Sequence, residues 1–215
     1  MGAALVRVAA SVLAAVVVSA PAAVSAQPGT RTNASPHTQR VVVRPVDAHG
    51  HAVGSWKVKR LHGSPVECAG PARAAVSGNI VECFPSAYYL PSCWKSHHHT
   101  VLCLRDAREH QLVRVRYSGR VRPVVRPKVP SPQDLDLIHG QRCDIRVGGA
   151  WGTLPSHPKW VGFYSCAHGS VYGPASGDGV NREHPRWRVH LWLSRTHDTV
   201  VTRPVRTAYF VGTAH

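Results

Sequence analysis

The chain has 215 residues, with 26 Lys and Arg against 11 Asp and Glu and a formal net charge of +15 at pH 7. Carboxylates are too few and too scattered to mark a catalytic pair. Six cysteines without a C-x-x-C step exclude zinc ribbons and fingers, and no G-x-S-x-G elbow, H-E-x-x-H or glycine-rich phosphate loop is present.

Arg7, the apolar run Val8–Ala20 and the small residues Val24–Ala26 predict a signal peptide over 1–26, cleaved near Ala26 and Gln27. The run is shorter than the roughly 20 residues a membrane span needs. The mature protein is therefore expected outside the cytoplasm, secreted or in the cell envelope, with no transmembrane segment. Polar residues 27–40 read as a disordered leader. Without Arg7 the mature chain carries 25 Lys and Arg against 11 acids, and 25 − 11 gives +14. Cys68, Cys83, Cys93, Cys103, Cys143 and Cys166 all lie in it, and an even count in an exported chain reads as disulfides.

Residues 41–120 are expected to form a first β module with four cysteines. Its strand candidates are Val41–Val43, "SWKV", "NIVEC", "TVLCL" and "QLVRVRYSG". In the last, Val113, Val115 and Tyr117 alternate with Arg114 and Arg116, the period of a strand with one buried and one wet face. Pairing of neighbours (68–83, 93–103, 143–166) brackets plausible strand–turn–strand units, with 83–93 plus 68–103 as the rival. His97–His98–His99 sits inside the 93–103 loop. On a hairpin arm His97 and His99 share one face, and zinc needs at least three protein ligands. His110 is not required to approach. The run therefore reads as the exposed tip of a stapled hairpin with no metal, and Trp94 is expected to pack on the staple. No cofactor is implied.

Pro123, Pro127, Pro130 and Pro132 remove backbone donors and favour extended chain, so 121–134 reads as a Pro/Arg-rich linker. A second β module with two cysteines is expected over 135–215. Its strand candidates are "CDIRV", "WVGFYSC", "RWRVHLWLS" and "TAYFVG", separated by Gly/Pro turns. In the third, Trp187, Val189, Leu191 and Leu193 alternate with Arg188, His190 and Trp192. The fold class is all-β: two small disulfide-stapled modules, of sandwich or small-barrel type, joined by the linker. Each half is about 80 residues, a size at which a small core needs staples.

Charge carries the functional reading. Arg105, Arg108, Arg114, Arg116, Arg120, Arg122, Arg126 and Lys128 crowd one stretch, and Arg182, Arg186, Arg188 and Arg195 a second. Arg114 with Arg116, and Arg186 with Arg188, are the candidate anion-binding stripes. Partners that fit an exported basic protein are anionic lipid, wall polymer or acidic polysaccharide; nucleic acid fits the charge but not the compartment. The alternative is a secreted hydrolase. His168 beside Ser170 is its only nucleophile–base neighbourhood, and Asp144, Asp178, Glu183 and Asp198 are the carboxylates available to it.

"VECFPSAYYLPSCW" with "TVLCLRDAREHQLVRVRYSG", and "GQRCDIRVGGAWG" with "WVGFYSC" and "TAYFVGTA", resemble a group of small exported actinobacterial proteins with no established activity. The resemblance covers most of the mature chain. It implies a secreted, Cys-rich, two-part β protein and transfers no catalytic residue. Arginine outnumbers lysine about four to one, which suits a GC-rich genome. The expectation is a non-enzymatic exported protein that binds an anionic partner.

Overall fold

The computed structural model describes residues 36–84, 89–146, 151–194 and 198–215. The expected signal peptide, most of the leader and Arg195 lie outside them. No helix is formed among the described residues, and none there is long and apolar enough to cross a membrane.

Six strands, β2 (Lys57–Arg60), β3 (Glu67–Pro71), β4 (Ile80–Phe84), β5 (Leu90–Lys95), β6 (Thr100–Asp106) and β7 (Gln111–Arg116), are paired in the order β2-β7-β6-β5-β4-β3. Val66, entering β3, bridges Tyr117, leaving β7, and this contact closes the barrel. Alternation then decides what lies inside. Val81, Cys83, Cys93, Val101, Cys103, Val113, Val115 and Tyr117 point inward and form one core. Ile80, Trp94, Leu102, Leu104 and Leu112 point outward and pack with Val46 and Val211 of the second sheet.

Both barrel disulfides, Cys68–Cys83 and Cys93–Cys103, join residues directly opposite on adjacent strands, as does Cys143–Cys166. The pairing is therefore that of neighbours. Sγ atoms of Cys83, Cys93 and Cys103 lie within 4.8 Å of one another, so the two bridges stack inside the barrel. Trp94 departs from expectation: adjacent strand residues face opposite ways, so it points away from the Cys93 staple and into the seam between the sheets.

The remaining strands are β1 (Gln39–Asp47), β8 (Asp134–Leu137), β9 (Arg142–Ile145), β10 (Trp160–Cys166), β11 (Ser170–Pro174), β12 (Val180–Asn181), β13 (Arg188–Ser194) and β14 (Thr199–Ala214). Their order is β1-β14-β8-β9-β10-β11-β13-β12, and β14 also pairs with β13, so the ladder returns on itself through that long strand. Leu135, Leu137, Tyr164, Leu191, Val205 and Phe210 are the centre of its core. In β13, Val189 and Leu191 are buried as the alternation requires. The pattern breaks at a bulge between Trp192 and Ser194, leaving Trp192 buried and Leu193 exposed.

Strands do not group by sequence half. β1, placed by the sequence pattern with the first module, pairs in parallel with β14 at the end of the chain. Ala34–His215 form one compact unit. The Pro-rich segment is extended, as its prolines dictate, but it is also anchored. Val124 exchanges hydrogen bonds with Asn79, Ser131 N–H donates to Arg73 O, and Gln133 N–H donates to Tyr209 O. Gln133 accepts a bond from Ser92 of the barrel. All four residues of β8 are buried, including both aspartates, because the barrel covers the face that alternation would leave wet.

Candidate functional site

The barrel end formed by the β5–β6 turn and the chain leaving β2 carries most of the sequence-predicted chemistry. His98 and His99 both have positive φ (53° and 52°) and Thr100 N–H donates to His97 O. This is a two-residue turn of the primed type, normally filled by Asn-Gly. The strand alternation therefore stops at His97. His99 packs against Tyr117 (5.5 Å between centroids) while His97 turns the other way, so the two do not share a face. His110 lies at the opposite barrel end, stacked on Trp56 at 4.7 Å.

His97 meets a residue 46 positions earlier. Nε2 of His97 and Nε2 of His51 are 2.7 Å apart. The His51 loop is held by Asp47, whose Oδ1 accepts the backbone N–H of His49 (2.9 Å) and His51 (2.8 Å) and whose Oδ2 is 3.4 Å from His51 Nδ1. Gly50 (φ 82°) seats the loop on the barrel: a Cβ there lies 2.3 Å from Lys95 O and 2.8 Å from Ser96 Cα, so only glycine fits. The buried Ser96 hydroxyl donates to Gly50 O at 2.6 Å.

Arg114 braces the same turn. Its Nη1 donates to Ser96 Oγ and Thr100 Oγ1, both at 3.1 Å, and the side chain is half-buried. The wet face expected for Arg114 and Arg116 is thus wet only at Arg116. β2 lies parallel to β7, with Arg60 opposite Arg114. A cleft of about 400 Å³ opens there, lined by Arg60, His62, His98, Arg114 and Arg116 among others, with no carboxylate. The second candidate pair divides differently. β13 begins at Arg188, which is exposed, whereas Arg186 precedes it and is half-buried. Between them Trp187 lies beneath Arg40 (5.8 Å) and Arg182 (5.0 Å).

Acids are concentrated elsewhere. Arg108 belongs to the first basic stretch of the sequence, but its side chain is only 8% exposed. Asp106 Oδ1 accepts the Arg108 and Glu109 N–H groups, and this turn aims the guanidinium into the second sheet. There it reaches Asp136 (2.7 Å), Asp144 (3.3 Å) and Leu135 O (3.1 Å) and lies 5.0 Å from the Tyr209 ring. Asp106, Glu109, Asp134, Asp136 and Asp144, five of the 11 acids, gather at this junction. Sequence alternation missed it because the partners come from different halves.

Burial first, and then the Asp144 charge, push the Asp134 carboxyl well above the usual carboxylate range, with Arg108 opposing. A carboxyl raised in the fold contributes stability that is fully present below about pH 4 and lost as pH rises through its folded value. Asp134→Asn needs no proton and can still donate to Asp144. It is expected to be more stable than the parent at pH 7 and nearly equal at pH 4 in urea denaturation; a variant less stable at pH 7 contradicts this reading.

For the hydrolase alternative, the structure places His168 in the β10–β11 turn and Ser170 on β11, with no hydrogen bond between their side chains among the described residues. The cleft beside His168 is lined by Ile138, His139, Gly140, Gln141, Ala167 and Arg203, with no acid or hydroxyl. Glu183 is exposed and bonded to Asn181. The sequence reading missed a closer pair, Ser156 Oγ and His157 Nδ1 at 2.8 Å. Asp198 there accepts the serine backbone N–H rather than orienting the imidazole, so the three do not form a triad. His157, Trp160 and His190 pack in series with tilted rings; burial, and then the nearby His157, lower the His190 pKa. Comparisons with protein-family models, curated proteins and solved structures found no match.

Proposed function

We propose that this is an exported, non-enzymatic protein that binds an anionic partner of the envelope or extracellular space through the basic end of its barrel. The observation that supports this is the cleft holding Arg60, Arg114 and Arg116 with two histidines and no carboxylate. Arginine forks match the geometry of carboxylate, sulfate and phosphate oxygens. With no acid in the cleft to neutralise them, the three guanidiniums add to a field that attracts polyanions. The partner class is an acidic polysaccharide, a wall polymer or anionic lipid, all recognised through the same oxygens.

Arg114 is part of the turn's framework, so the test reverses Arg60 and Arg116, whose residues are exposed. Heparin and phosphatidylglycerol vesicles serve as probes of the two sources. Binding is expected to fall steeply with salt, as screening over about 8 Å at physiological ionic strength requires. Arg60→Glu with Arg116→Glu is expected to weaken it about tenfold or more with little change in melting temperature, and Arg186→Glu with Arg188→Glu to weaken it less. Binding that ignores salt and survives the first double change would refute the proposal.

A further inference from the structure

We propose that His51 and His97 form a binding site for a divalent late transition-metal ion, with copper(II) preferred over nickel(II) and zinc(II). The two Nε2 atoms converge to 2.7 Å from separate loops. A carboxylate only accepts, so the Asp47 Oδ2 contact at 3.4 Å places the His51 proton on Nδ1 and leaves the Nε2 lone pair facing His97. A carboxylate on the far nitrogen is the usual outer partner of a metal-bound histidine, fixing both tautomer and ring orientation.

Both loops are held in place before any ion arrives. Gly50 has no room for a side chain against Lys95 and Ser96, and Ser96 is bonded to Gly50 O. Metal–nitrogen bonds of about 2.0–2.1 Å at the right angle of tetragonal copper(II) set neighbouring ligand nitrogens about 2.8–3.0 Å apart. The exposed His97 ring thus has to swing back by only about 0.1–0.3 Å. His49 and His98 lie farther off, each with its ring centroid 6.4 Å from the nearer member of the pair, so the two converging imidazoles are the donor set. Both rings are exposed, so the remaining coordination positions stay open to water. Imidazole donors suit copper, nickel and zinc, and copper heads the affinity order.

Calorimetric titration of the tag-free, disulfide-intact exported protein with copper(II), nickel(II) and zinc(II) salts tests this. One equivalent of copper is expected to bind, with nitrogen couplings from imidazole in its electron paramagnetic resonance spectrum. His51→Ala and His97→Ala are each expected to weaken binding about tenfold or more, with the metal-free melting temperature nearly unchanged. His98→Ala, on the outer corner of the turn, is expected to leave it intact. Equal loss from His98→Ala, or the absence of a saturable single equivalent, would overturn the site in favour of scattered surface histidines. Copper affinity unchanged in His51→Ala would show instead that the pair only shares a proton.

Discussion

Replacing Arg108 with methionine is expected to destabilise the protein by about 3–5 kcal/mol, the cost of leaving buried charge without its partner. Whole domains hold only about 5–15 kcal/mol, so the variant sits close to unfolding at neutral pH. The side chain is 8% exposed and makes bonds to Asp136, Asp144 and Leu135 O. Methionine matches the stem but offers no donor to those oxygens. Arg206 still reaches Asp136 at 3.5 Å from an exposed position, and Tyr209 donates to it at 2.9 Å, so the loss is not the sum of every contact. Urea denaturation at pH 7 measures the loss. A loss below about 1 kcal/mol at pH 7 would mean that the junction is held by its apolar seam alone.

Removing the Cys93–Cys103 bridge as the double alanine variant is expected to cost about 2–5 kcal/mol. The separation of 10 residues gives about 3 kcal/mol in the chain-entropy model. A second contribution comes from position: both sulfurs are fully buried in the barrel and lie against Cys83, so truncation opens a cavity in a closely packed interior. Denaturation of the variant measures the loss. On the parent, alkylation under denaturing, non-reducing conditions followed by mass measurement is expected to add nothing, because all six cysteines are paired. An adduct on the parent, or a variant as stable as the parent, would remove this account.

What the sequence by itself determined is local. Val113, Val115 and Tyr117 alternate with arginines and are buried where the pattern puts them, because a strand's period is a property of its own backbone. Neighbour pairing of the cysteines, one of two arrangements the sequence left open, holds because each pair joins two strands that are consecutive in the chain and directly opposed. The all-β class follows from the same short alternating runs. What only the tertiary structure decided is everything that depends on contacts between distant segments. β1 lies beside β14 because an exposed parallel edge was available more than 160 residues later. The aspartate face of β8 is buried rather than wet because the barrel turn delivers Arg108 to it. His97 faces His51 rather than His99 because a two-residue turn ends the alternation and Gly50 lets another loop dock on it. None of these has a local signature, since side-chain type and spacing record which face a residue occupies but not which surface will cover that face.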